Sequence, residues 1–387
     1  MASPTLAQVC KGRAPDVVIG VDTHKDAHVA VALAPNGGKL GEHRIPTTRN
    51  GYDDLIVWSE EFGSNPVYAI EGTSSYGAGL TRELLDAGFP VVEVNRTDRS
   101  VRRRLGKDDA IDAEAAARAY LAGTATATPK TGADQVEMIR MLKVAKDSAT
   151  EGKTCAINQI KALLVTAPAA LRERLGNLTR RPLVDACAAL RPGVLDGPMA
   201  AAKRALRTLA RRIQSLEQEI EMLLSDLDSL TQAVCPGLRQ TYGVGVDSAA
   251  TLLTAAGDNP ERFRSDAGFA ALCGVSPLPA SSGKTNRHRL NRGGNRQANA
   301  ALHRIAVVRL RWECRPRPTQ HGALRKAFQN PKSCAASNGS LPGRSTGFCW
   351  AAHRYAPEGP EKPGAQKPQA PAKQPARSLI AGGLLGG

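Results

Sequence analysis

The stretch "VVIGVDTHKDAHVAVALAPNGGKLGEHRIPTT", Val17 to Thr48, decides how the N-terminal part of this chain folds. "VVIGVD" is a short β-rich run that ends on an acid, Asp22. "HVAVALAP", the turn "NGG" and "KLGEHRIPTT" follow, which predicts an antiparallel meander with a tight glycine turn. Downstream the pattern changes. "GYDDLIVWSEEFG" reads as a helix stopped at Gly63, "VYAIEG" as a buried strand ending in Glu71, "GAGLTRELLDAGF" as a helix and "PVVEVN" as a strand. An alanine-rich helix, "DAIDAEAAARAYLAG", closes the series at Gly123. Three hairpin-like strands followed by alternating helices and strands predict a mixed α/β sheet covered by helices.

Residues 134–234 read as almost wholly helical. Within them Leu206, Leu209, Ile213, Leu216, Ile220, Leu223, Leu227 and Leu230 step by threes and fours, a heptad seam. The seam fits either a coiled-coil arm that pairs two subunits or a long helix packed inside its own chain. Pro236 breaks this helix, and "PGLRQTYGVGVDSAATLLTAAG" predicts a glycine turn leading into another. From Ala267 to Trp312 there is no Asp or Glu, while Lys284, Arg287, Arg289, Arg292, Arg296, Arg304, Arg309 and Arg311 accumulate, with a helix expected from about Arg296. Solvated faces usually mix signs, so an acid-free basic run of this length points to phosphate contact.

The balance of the whole chain agrees. Its 387 residues allow two or three domains, and its net charge of +16 favours a polyanionic partner. The start "MASPTLAQVCKGRAPD" has no apolar core, and no apolar run reaches the roughly eighteen residues of a membrane span. The eight cysteines are scattered without a C-x-x-C pair, which argues against zinc or a disulfide framework and fits a reducing cytoplasm.

Against this basic background "RRRLGKDDAIDAEAAARAY" sets Asp108, Asp109 and Asp112 directly behind Arg102, Arg103 and Arg104. Taken singly, each acid has an ordinary explanation: a turn cap at Asp22, surface at Glu71, helix N-terminal acids at 108, 109 and 112. Taken together they suggest a cage of carboxylates for hard divalent cations such as Mg2+. Two such ions about 4 Å apart can serve an attacking and a leaving oxygen at phosphorus. Spacing leaves open whether Asp109 or Asp108 partners Asp112, because both lie about one helical turn from it.

Four segments, "GVDTHKDAHVAVAL", "AIEGTSSYGAGL", "VVEVN" and "KDDAIDAEAAARA", resemble the successive motifs of the DEDD transposases of insertion-sequence family 110 (IS110). "GVGVDSAATLLTAAGD" through "FAALCGVSPLPASSGKTNRHRLNRGGNRQANAAL" resembles that family's C-terminal transposase domain, so the likeness runs from about Asp16 to Trp312. It implies a RuvC/RNase H-like DEDD domain over residues 16–130, a helical linker over 134–234 and a mainly α C-terminal domain over 235–312. It assigns the four acids to Asp22, Glu71, Asp109 and Asp112 and leaves Asp108 out. It also implies a serine nucleophile at Ser282, with Ser281 the lesser choice, and a structured guide (bridge) RNA that pairs with donor and target DNA. Multimers, dimers or tetramers, would combine the acids of one subunit with the serine of another. Lys284, Arg287 and Arg289 then suit the neutralisation of an attacked phosphate, with Arg292, Arg296 and the arginines at 102–104 as further nucleic-acid contacts. A RuvC-like junction endonuclease that uses only the acids and water, and a catalytically dead binding remnant, stay open as alternatives.

The likeness stops after about Trp312, where residues 313–387 turn rich in Pro, Ser and Gly and the composition predicts disorder. One choice of codons for Ala327 to Trp350, read from the third base of the first codon, yields an amphipathic peptide similar to the family's ending. A frameshift between about Glu313 and Gln320 would account for that, and the gene's nucleotides decide it.

Overall fold

A computed structural model of the chain describes residues 14–95, 108–263, 265–283, 285 and 287–312. The meander forms as its sequence predicts: β1 (Val17–Thr23), β2 (Ala27–Leu33) and β3 (Lys39–Pro46) pair antiparallel in order. Helix α1 (Arg49–Glu60) follows, capped by the Thr48 side chain on the Gly51 amide. Then come β4 (Pro66–Glu71), α2 (Ala78–Asp86), β5 (Val91–Val94) and α3 (Asp109–Leu121). β4 joins β1 in parallel and β5 joins β4 in parallel, giving the sheet order β3-β2-β1-β4-β5. This is the mixed sheet of a RuvC/RNase H-like domain, and the rest of the described chain is helical.

Strand parity sorts the side chains between two cores. Val17, Ile19 and Val21 of β1 pack with Tyr68, Ile70, Leu55, Leu80 and Leu84 beneath α1 and α2. Val18, Val67, Ala69 and Val92 face the other way, against Ala113, Ala116 and Ala117 of α3. Gly20 lies on that second face. A Cβ there would collide with the Ala113 carbonyl oxygen and come within 2.7 Å of the Ala117 nitrogen. The small residues of α3 and the missing side chain at Gly20 therefore set how closely the helix lies on β1.

Helix α4 (Gln135–Thr166), the short helices α5 (Ala169–Leu175) and α6 (Arg180–Ala188), and α7 (Pro198–Val234) form an antiparallel helical hairpin. Ile139 at the start of α4 clusters with Leu227 near the end of α7, while Ile160 and Leu164 cluster with Leu206, Ala210 and Ile213. The heptad seam is thus seated within its own chain: Leu206, Ile213 and Leu227 are buried in cores that include α4, and Leu223 is buried as well. Four further helices, α8 (Pro236–Gln240), α9 (Val246–Ala256), α10 (Asp266–Leu272) and α11 (Arg296–Trp312), pack at the open end of the hairpin. Between α10 and α11 lies a short two-stranded ribbon of β6 (Leu278–Pro279) and β7 (His288–Arg289). Arg102, Arg103, Arg104, Lys284 and the segment 313–387 fall outside the described residues.

Candidate functional site: an acid cluster on the α3 face of the sheet

Parity also places the acids. Asp22 continues the series Val18–Gly20 toward α3, and Glu71 continues Val67–Ala69 on the neighbouring strand. Because Val21 pairs with Ile70, the two carboxylates leave the sheet side by side. Asp109 and Asp112 occupy the first turn of α3. Asp112 is 3 % exposed and Asp22 8 % exposed. Burial pushes the Asp22 carboxyl above its ordinary pKa; His24 pulls it back, and the charges of Asp112, Glu71 and Asp109 raise it further. All four expected acids therefore share one electrostatic neighbourhood.

The choice between Asp108 and Asp109 has a structural basis. Asp108 is the N-cap of α3, with extended backbone, and its carboxylate accepts from the Ala110 amide. That is a helix-starting role. Asp109, one residue on, turns into the cluster, where its Oδ1 lies 3.1 Å from His24 Nε2.

His24 is a residue that sequence reasoning did not single out. Its Nε2 also lies 3.2 Å from Asp22 Oδ2, so the imidazole stands between two of the acids. Its backbone amide donates to Nδ1 of His28, 3.3 Å away. His28 is fully buried against Tyr52, and burial lowers its pKa. The sequence signal was present in "DTHKDAH", but period-two patterning cannot tell which histidine of a turn faces an acid. Thr23 Oγ1 donates to the Glu71 carbonyl at 2.8 Å and ties the two strand ends together. Gly72 follows at φ +76°, a left-handed turn that suits glycine, and a Cβ there would come within 3.0 Å of Thr23 Oγ1.

These residues fit a divalent metal. Single donor atoms of Asp22, His24 and Asp109 lie within 4.8 Å of one another. Glu71 Oε2 is buried with no hydrogen-bond partner among the described residues, an uncompensated acceptor that a cation would satisfy.

The serine region forms a second constellation. Ser281 and Ser282 lie between β6 and β7 and are exposed. Ser281 Oγ accepts from the Arg287 amide at 3.2 Å, a turn-serine role. Ser282 bridges Thr285 through its backbone, and its hydroxyl carries no hydrogen bond among the described residues. Arg287, Arg289, Arg292 and Arg296 are exposed and have no carboxylate partner among the described residues. Arg304, by contrast, pairs with Asp247 at 3.1 Å.

Carboxylates gathered at the ends of two central strands of an RNase H-like sheet, beside a helix that adds two more, define a class of enzymes that cut and join nucleic-acid strands. Within that class, residues 19–167 match the DEDD transposase model of the IS110 family, and residues 235–321 match the transposase model of the IS116/IS110/IS902 family. The chain belongs to the IS110 family of transposases, and its function is that of a DNA transposase. No curated protein matches it. Among the described residues no helix is long and apolar enough to cross a membrane.

Proposed function

We propose that the chain cuts and rejoins DNA through a covalent serine–DNA link, under the guidance of a structured RNA. The observation that carries this reading is the convergence of Asp22, Glu71, Asp109 and Asp112 on one face of the sheet, in a chain whose "SSG" turn leaves the Ser282 hydroxyl uncommitted. The four acids, with His24 beside them, would hold divalent ions, and Mg2+ suits a set dominated by carboxylates. Such an ion, when bound, supplies Lewis-acid polarisation of the attacked phosphate.

The residues of the chain divide the remaining work. Ser282 Oγ attacks phosphorus, an O–P bond forms, and the P–O bond to the 3′ oxygen breaks. The serine proton passes to a base, for which the cluster offers carboxylates, and the departing oxygen takes up a proton to become a 3′-hydroxyl. The phosphoserine bond conserves the energy needed for rejoining. Lys284, Arg287 and Arg289 neutralise the phosphate during attack, and Arg292 and Arg296 hold the flanking strand. The net charge of +16 exceeds what one scissile phosphate needs and suits an additional RNA partner. A second copy of the chain would complete the site by placing its serine over these acids. Exposed Val165 and Met222 on the helical hairpin leave apolar surface for that contact.

The test is Mg2+-dependent strand cleavage and exchange on the cognate element. Asp109→Ala and Asp112→Ala abolish cleavage, whereas Asp108→Ala keeps it and costs about 1 kcal/mol of stability through loss of the cap. Ser282→Ala abolishes exchange. If that variant still cuts like wild type, the protein is a water-using nuclease, and equal loss from Asp108→Ala overturns the acid assignment.

A further inference from the structure

A cavity of about 370 Å³ opens where the loop after β4 meets the segment entering α4 and the C-terminal end of α9. It is separate from the acid cluster but begins next to it. Thr73, on its wall, is two residues beyond Glu71, so their Cα atoms are at most about 7 Å apart. Thr73 is only 3 % exposed, yet its hydroxyl has no partner among the described residues. The same is true of the buried hydroxyl of Thr254, a second lining residue. Folded chains rarely leave such groups unpaired, so two in one cavity point to an absent acceptor.

The charge around them identifies the acceptor. Arg82, Lys130 and Arg140 line the cavity together with two acids, Glu137 and Asp258, the latter accepting from the Val136 amide at 2.9 Å. Arg140 is committed to Glu137 through two bonds of 2.6 and 2.7 Å. Arg82 and Lys130 hold only backbone carbonyls, Gly132 at 3.3 Å and Thr254 at 2.7 Å, and neither has an ion-pair partner among the described residues. Each therefore keeps donors free for a ligand. Two orphan hydroxyls and two cations that lie beyond ion-pair distance of the lining acids Glu137 and Asp258 make a site for a compact anion rich in oxygen acceptors.

We propose that this cavity binds a backbone phosphate of the nucleic-acid strand close to the phosphate being cut, and so fixes the path of that strand away from the acids. The assignment rests on the transposase reading above. Its ligand is a phosphodiester; a free phosphate or mononucleotide offers the same oxygens, and the experiment separates the two.

Binding of a 5′-labelled single-stranded DNA to the full chain is followed by fluorescence anisotropy across a salt series, without divalent ions. Arg82→Gln weakens binding by about tenfold and flattens the slope of log K against log salt by about 0.7, the value for one single-strand phosphate contact. Thr73→Val and Thr254→Val also weaken binding, while their unfolding midpoints hold or rise, because each removes a hydroxyl that is unpaired in the free protein. A packing role alone would lower the midpoint and leave the salt slope untouched. Unchanged affinity and slope in all three variants, with wild type still binding DNA, overturn the cavity assignment and spare the transposase reading. If inorganic phosphate stabilises wild type while none of the variants alters strand binding, the site is one for free anions and the strand assignment falls. Failure of wild type to bind DNA at all sinks both.

Discussion

At Asp22 folding and the proposed metal role pull in opposite directions. Burial and three neighbouring carboxylates raise its pKa, so the folded chain holds the ionised form less readily than the unfolded chain does. A raised acid costs stability once the pH exceeds its unfolded value, and at neutral pH that cost is present. Asp22→Asn therefore raises the thermal midpoint at pH 7 in the absence of divalent ions while eliminating strand cleavage. Mg2+ raises the midpoint of wild type and leaves that of the variant nearly unchanged. A variant less stable than wild type without metal would contradict the account. At this scale the sequence was only partly legible. Asp22 and Glu71 could be placed at strand ends, but choosing Asp109 over Asp108 needed the family likeness. The physical reason is cap geometry: Asp108 sits outside the helix with its carboxylate on the Ala110 amide, which helical periodicity does not register. His24 went unnoticed because its role depends on which way a tight turn faces.

Elements position these residues, and the contact between β1 and α3 matters most. Gly20→Val sets a branched side chain against the Ala113 carbonyl and the Ala117 backbone. It should cost about 1–3 kcal/mol as an overpacked core and lift the first turn of α3, with Asp109 and Asp112, away from Asp22. Denaturant unfolding and a cleavage assay check both effects; a variant with wild-type stability and activity would show that the contact is not tight. A second junction is ionic. Asp247, in the first turn of α9, meets Lys143 and Lys146 of α4 and Arg304 of α11. Burial raises its carboxyl, but bonds from Lys146 and Lys143 outweigh that and hold its pKa down to about 2. The depressed value means that roughly 2 kcal/mol of stability is present above about pH 5 and is lost as the pH falls toward 2. Asp247→Asn should remove that share of the acid-induced loss in an unfolding series between pH 2 and 5. The helical hairpin shows what periodicity can and cannot give. The seam from Leu206 to Leu230 was visible as a period, whereas its partner in this chain, α4, was not, since α4 carries no comparable apolar repeat and a heptad does not name its mate.

Over the whole molecule, the two family matches fall within one connected body. The segment before α4 ties them: Lys130 reaches the Thr254 carbonyl, Asn259 donates to the Pro129 carbonyl at 2.9 Å, and the Val136 amide donates to Asp258. The change of composition after Trp312 was plain in the sequence, and the second match ends close by, at residue 321. The central claim is that Ser282 becomes joined to DNA under the control of the four acids. The most direct measurement is mass spectrometry of the protein–DNA adduct trapped by denaturation during reaction on the cognate element with Mg2+. The account predicts a nucleotide mass on the peptide that contains Ser282, and no adduct from Asp112→Asn. An adduct on a different residue, or efficient cutting with no adduct, would contradict it.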